Sequence, residues 1–200
     1  MKRDVEFLFE IGMLRFMPRQ WQRFLGPQVA NNSEHMFRVA WLALVIAERE
    51  GVEDTGKIVK MALVHDIAES RSSDVDYMSR QYVKRDEHAA IHDMLEDTSV
   101  EKEFLELIEE YEKRESIEAK IVKDADNLDV EMEVREMHSS GHGLAEALQP
   151  HRDNVVAKLY FTESARKMND EIRHANPHDW HSKSPKNRVN AGDCSKKPKK

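Results

Sequence analysis

The stretch KMALVHDIAES, residues 60–70, places His65, Asp66 and Glu69 at the end of an apolar run. Charged side chains are rarely buried without a partner, so an imidazole and two carboxylates in this setting imply a cation or a reacting group beside them. On a continuous helix Ala62, His65 or Asp66, and Glu69 would form one stripe. His35, in NNSEHMFRVA, stands near the start of another periodic apolar segment, and IVKDADNLDVE supplies acids at 124, 126 and 129. At 100° per residue Asp126 points with Ala119, Val122 and Val130, whereas Asp124 sits nearer Lys120, a less demanding position. A carboxylate among apolar side chains is costly unless it is paired, protonated or metal-bound. Two imidazoles and two carboxylates converging from three helices make a reasonable divalent site. Mixed nitrogen and oxygen donors suit Mn, Fe, Co, Ni or Zn better than Ca or Mg, with Mg the lesser choice. An ion held with open positions acidifies water and polarises a phosphoryl oxygen.

The elements that must position these residues read as helices. SEHMFRVAWLALVIAERE spaces Met36, Val39, Ala40, Ala43, Leu44 and Ala47 at three and four residues, with Ser33 as the expected N-cap. TGKIVKMALVHDIAES repeats the pattern through Ile58, Met61, Ala62 and Ala68. Residues 84–97 and 101–113 read as two amphipathic helices, and SIEAKIVKDADNLDVEMEVREMH as a long one ended by SSGHG at 139–143. A last helix is expected over 154–174. With only seven glycines, six prolines and no sustained period-two alternation, a sheet is not expected. The fold class is therefore all-α, a bundle of five or more helices over residues 1–175, followed by a polar, Lys-rich and flexible tail at 176–200. Within that tail HDWH is the one segment with an aromatic, Trp180, to pack on the body.

Composition narrows the partners. The net charge of −7 is uneven: residues 176–200 hold seven Lys or Arg and two Asp, a local +5, which leaves −12 for residues 1–175. So acidic a body repels a phosphate backbone, and general nucleic-acid binding is disfavoured. No run of about 18 apolar residues suggests a membrane span, and the acid-interrupted N-terminus is unlike a signal peptide. The single cysteine, Cys194, excludes an internal disulfide framework and fits a reducing, cytoplasmic setting. His88 and His92 stand at i,i+4, a spacing that can bind one metal, but Ala89, Ile91 and Leu95 mark the buried side of an ordinary amphipathic helix there. His138 and His142 flank a Gly-Ser turn and are expected in solvent.

The order PRQW, SEHMFRVA, ALVHDIAE, an Asp five residues after that Glu, and EAKIVKDAD resembles the HD-domain metallophosphohydrolases over most of residues 5–170. Within that superfamily it is most like the 5'-deoxynucleotidases. The resemblance implies that His35, His65, Asp66 and Asp126, the last closing a VKxxD pattern, hold the metal, with Asp124 a second choice. It implies that Glu69 handles a proton beside the ion and that Asp74 faces the sugar or the attacking water. Arg19 would orient the phosphate, and Trp21 would pack near the sugar and exclude a 2'-hydroxyl. The substrate would be a small-molecule nucleotide, and the molecule a homodimer. Two departures bear on substrate choice. Ser73 stands before Asp74 where the family commonly has glycine, with Val75-Asp76 in place of a nearby proline, and the PRQWQRF spacing leaves Gln20 or Trp21 for the sugar side. Hydrolysis of 5'-deoxynucleoside monophosphates is the leading expectation. Its rivals are nucleoside triphosphates or cyclic nucleotides at the same metal site, and a non-catalytic binding module.

Overall fold

Helix α3, Asn32–Glu50, begins two residues earlier than the Ser33 cap would have it. Asn31 is the N-cap: its side chain accepts from Glu34 N, and the Glu34 side chain returns to Asn31 N. This reciprocal capping box satisfies two end donors at once, which a lone serine cannot do. Gly51 closes the helix at φ 70°, a left-handed position that glycine takes without strain. The buried face is Met36, Val39, Leu42, Ala43, Ile46 and Ala47.

Helix α4 covers Thr55–Val64 and stops before the HD pair. The expected single stripe through Glu69 is therefore not formed. Beyond Val64 the backbone tightens: Ile67 N bonds to Val64 O, Glu69 N to Asp66 O and Ser70 N to Ile67 O. Such i→i+3 bonds bring residues three apart into eclipse, so Asp66 and Glu69 share a side, and a short helix α5 runs over Glu69–Ser72. Ser73 then adopts φ 62°, a conformation that glycine would take freely.

The described residues are 2–26 and 28–183 in this computed structural model. Ahead of α3 lie α1, Lys2–Ile11, and the short α2, Gln22–Leu25. Helices α6, Glu87–Leu95, and α7, Glu101–Lys113, follow α5, and α8, Ile117–Ser139, is the central element. It packs against α3, α4 and α7 and against two later helices, α9, Gly143–Asn154, and α10, Glu163–His174. A short α11, Asp179–Ser182, ends the described chain. No strand occurs among the described residues; Pro18 and Asn31 form only an isolated antiparallel bridge. No described helix is long and apolar enough to cross a membrane.

The helix expected over 154–174 begins only at Glu163, after a short 3-10 turn at Val156–Lys158, and α9 forms just before it, where no helix was expected. Gly143 and Pro150 both lower the helical reading of that segment, since an interior proline removes a donor and crowds the preceding turn. Tertiary contacts override the local preference: buried Arg152 pairs with buried Glu131 on α8 and donates to Asn127 O. Trp180 in α11 stays 69% exposed, and residues 184–200, the rest of the expected tail, lie outside the described residues.

Because α8 is covered by five other helices and buries residues on more than one face, a one-face rule misjudges its acids. Asp124, expected in the less demanding position, is fully buried, and Asp126 is the partly exposed one. Asp124 accepts from Phe161 N, Thr162 N and Thr162 Oγ1, at 2.8–2.9 Å, and so fixes the entry to α10. Asp124→Ala should cost about 3 kcal/mol in chemical denaturation, because it leaves buried donors unanswered, while divalent-metal affinity measured by calorimetry stays at the native value.

Candidate metal centre and active site

Three stretches of chain deliver the polar cluster. His35 comes from the second turn of α3, His65 and Asp66 from the turn that ends α4, and Asp126 from α8. One donor atom from each of His35, His65, Asp66 and Asp126 lies within 4.8 Å of all the others. Both imidazoles are oriented from behind. His35 Nδ1 lies 2.6 Å from Asp129 Oδ2, and His65 Nδ1 lies 2.8 Å from Ala62 O. Each Nδ1 therefore carries the donated proton and leaves the Nε2 lone pair directed into the cluster. Both Nε2 atoms are buried without a hydrogen-bond partner.

Spacing and charge both test the fit of a metal ion. His35 Nε2 is 3.5 Å from Asp66 Oδ2 and 3.3 Å from Asp126 Oδ1, and His65 Nε2 is 3.3 Å from Asp66 Oδ2. Adjacent donors bound at about 2.1 Å to one ion stand about 3.0 to 3.4 Å apart, so the separations suit a shared cation. Burial pushes Asp66 and Asp126 up, yet the neighbouring imidazoles, and Lys123 beside Asp126, hold both well below the usual carboxylate range. Burial and Arg19 press His35 down, but Asp126, Asp129 and Asp66 together raise it well above the usual imidazole range. The cluster thus attracts positive charge at the point where the Nε2 atoms meet. The four residues fit a divalent metal ion.

Glu69 is buried one eclipsed turn beyond Asp66. Its Oε2 accepts from Asn32 Nδ2, and its Oε1 lies 3.3 Å from Arg85 Nη1. Burial, then Asp66 and Asp74, raise its carboxyl to about 8 against the opposing pull of Arg19 and Arg85. Arg19 is buried between Asp66, at 3.3 Å, and Asp74, at 3.7 Å, and both carboxylates outweigh its burial and keep it charged. Asp74 is itself buried and accepts from Gln20 N at 2.7 Å, so its carboxylate is turned to the Pro18–Trp21 segment rather than to open space.

Two cavities meet at the cluster. One, of about 360 Å³, is lined by His65, Asp66, Glu69, Arg85, Tyr111 and Arg114, among others. The second, of about 440 Å³, is lined by Trp21, Tyr77, Val130, Leu148, His151 and Val156, among others. Arg19, Arg80, Lys123 and Asp126 border both. Trp21 and Phe24 pack on the Tyr77 ring at centroid distances of 5.8 and 5.3 Å. Asp76 pins that loop: burial opposes its charge, but Ser79 N and Oγ, Met78 N and Arg23 hold it at about 2. His88 and His92 lie on the exposed side of α6 with their rings 4.4 Å apart, and Ala90, Ile91, Met94 and Leu95, not Ala89, form the buried side. His138 is exposed as expected, whereas His142 is half-buried, with Nδ1 out of solvent.

Residues that carry the site but were not singled out from sequence are Asn32, Asp129, Arg85 and Tyr111. Asp129 had a signal, being one turn beyond Asp126 on α8, and Asn32 lies one turn before His35 on α3. Arg85 and Tyr111 reach the site only through tertiary contacts, and no spacing announces them.

The architecture is a helical bundle whose four-residue cluster fits a divalent metal, and comparison with known proteins gives the family. The model of the HD domain family matches residues 11–176. The chain belongs to the HD domain family. It is 34% identical to the 5'-deoxynucleotidase HDDC2 of Danio rerio over 66% of this chain and 68% of that one. It is 31% identical to the 5'-deoxynucleotidase HDDC2 of Homo sapiens over 80% of this chain and 79% of that one. A solved structure of a conserved hypothetical protein of Pyrococcus furiosus superposes with a TM-score of 0.70, at 28% identity over 86% of this chain and 99% of that one.

Asp129 links His35 to Arg38, which in turn pairs with Glu136. Removing such an outer partner weakens a metal site by about 10- to 100-fold. Asp129→Ala should therefore lower divalent-metal affinity by that factor in isothermal titration while the helical circular dichroism signal is retained.

Proposed function

We propose that this protein is a metal-dependent phosphomonoesterase that converts 5'-deoxynucleoside monophosphates to deoxynucleoside and phosphate. The observation that carries this reading is the buried, proton-holding Glu69 beside the four-residue cluster and the buried cation Arg19. A pure binding module has no use for a carboxyl raised to about 8 at that position. The relatives named 5'-deoxynucleotidase support the choice of substrate.

His35, His65, Asp66 and Asp126 would hold the ion, with manganese, cobalt, nickel, iron and zinc the candidates by donor type. A divalent ion there supplies Lewis acidity, which acidifies water and draws charge from a phosphoryl oxygen. The chain's own groups do the rest. Arg19, fixed by Asp66 and Asp74, faces the phosphate and offsets charge gathering on its oxygens. Asp74 acts through Arg19 and the Gln20 backbone. The water oxygen attacks phosphorus, the bond to the 5'-oxygen breaks, and Glu69 donates its proton to the departing oxygen or takes one from the water. Trp21, backed by Tyr77 on the wall of the second cavity, would receive the deoxyribose. The acidic body does not forbid an anionic substrate, because the cations Arg19, Arg80, Arg85, Arg114 and Lys123 all border the same cavity.

The experiment is phosphate release from deoxy- and ribonucleoside monophosphates, triphosphates and cyclic nucleotides after chelation and metal add-back. Release from deoxynucleoside monophosphates alone, abolished in Asp66→Ala, is the expected result. Turnover confined to triphosphates or cyclic nucleotides would overturn the substrate, and no turnover on any would overturn the enzyme. Glu69→Gln should lower kcat by about 10²- to 10⁴-fold while metal affinity is kept, since Glu69 is not among the four donors.

A further inference from the structure

Of the five cationic side chains that border the first cavity, three are neutralised by the protein. Arg19 pairs with Asp66 and Asp74, Arg85 with Glu69 and Glu87, and Lys123 with Asp126. Arg80 is exposed and donates Nε to Val75 O. Arg114 is different. It is half-buried, has no carboxylate within ion-pair distance among the described residues, and its Nη1 is out of solvent without an acceptor. Its guanidinium carbon stands 3.3 Å from the centroid of the Tyr111 ring, and Tyr111 packs edge-on against His65 at 5.6 Å.

The backbone adds a second, independent observation. Arg114 caps α7 at φ 54° and ψ 27°, the left-handed position where glycine is favoured and a Cβ is strained. A cation near a helix C-terminus does answer the helix dipole. That role needs neither the strained backbone nor a guanidinium laid flat on an aromatic ring beside a candidate metal ligand. Strain retained at a site edge, together with charge that the protein leaves unanswered, points to an anionic ligand.

We propose that Arg114 is a phosphate-binding residue: held against Tyr111, it takes oxygens of the substrate's phosphoryl group and of the inorganic phosphate released. The substrate half of this inference rests on the phosphomonoesterase reading; the binding of inorganic phosphate does not. The geometry also makes the test clean, because Arg114→Gly removes the cation and relieves the backbone at once.

Inorganic phosphate is titrated calorimetrically into the manganese-loaded native chain and into Arg114→Gly at fixed ionic strength, with Tm and nucleotide KM measured alongside. The expected result is a Tm equal to or above native, phosphate affinity about tenfold weaker, and a parallel rise in KM. Arg114→Lys, which keeps the charge without the planar stack, recovers part of the loss. Unchanged phosphate affinity in a folded Arg114→Gly overturns the proposal, as does the absence of phosphate binding by the native chain. If the native chain binds phosphate but hydrolyses no nucleotide, the enzymatic reading fails while the comparison still decides the role of Arg114.

Discussion

Two carboxylates and two imidazole lone pairs brought together out of water cannot stay together without a positive charge among them. That constraint organises the molecule. His35, His65, Asp66 and Asp126 come from three separate stretches of chain, and each is held from outside by a group that belongs to the fold. Asp129 and Ala62 O set the two imidazoles; Arg19 stands against Asp66, and Lys123 against Asp126. A cluster so braced is preorganised: the cost of gathering like charges is met in folding rather than at each binding event.

The same field shapes what surrounds the cluster. Burial, then Asp66 and Asp74, raise the Glu69 carboxyl to about 8. The cations are distributed by their partners. Those tied to carboxylates fix the geometry, and those left unpaired stand ready for an anion. The second cavity, with Trp21, Tyr77, Leu148 and Val156, offers flat and apolar surface on the far side of Arg19 and Asp126, in keeping with a nucleoside whose phosphate end points to the cluster. Its outer wall is supplied by α9 and the turn after it, which Arg152 ties to α8 through Glu131 and Asn127.

Much of this was legible in the sequence, and the exceptions are instructive. The helices followed from apolar spacing, and the four clustered residues stood out because their types do not belong on buried helix faces. Asp126 was chosen partly for an apolar setting that it lacks; the fully buried acid is Asp124, and it serves α10. A helix sandwiched between neighbours has more than one buried side, so periodicity alone cannot rank its acids. The HD turn reads as helix in the sequence because i→i+3 and i→i+4 bonding share nearly the same apolar spacing. Helix α9 was hidden by Pro150, whose local cost is outweighed by a buried ion pair that no window of sequence contains. Asn32, Arg85 and Tyr111 likewise owe their importance to partners far away in the chain.

The most direct test of the centre is anomalous diffraction from crystals grown with cobalt or manganese. The expected result is one strong peak bounded by His35 Nε2, His65 Nε2 and a carboxylate oxygen from each of Asp66 and Asp126. A peak elsewhere, such as between His88 and His92, with none among these four residues, would contradict it.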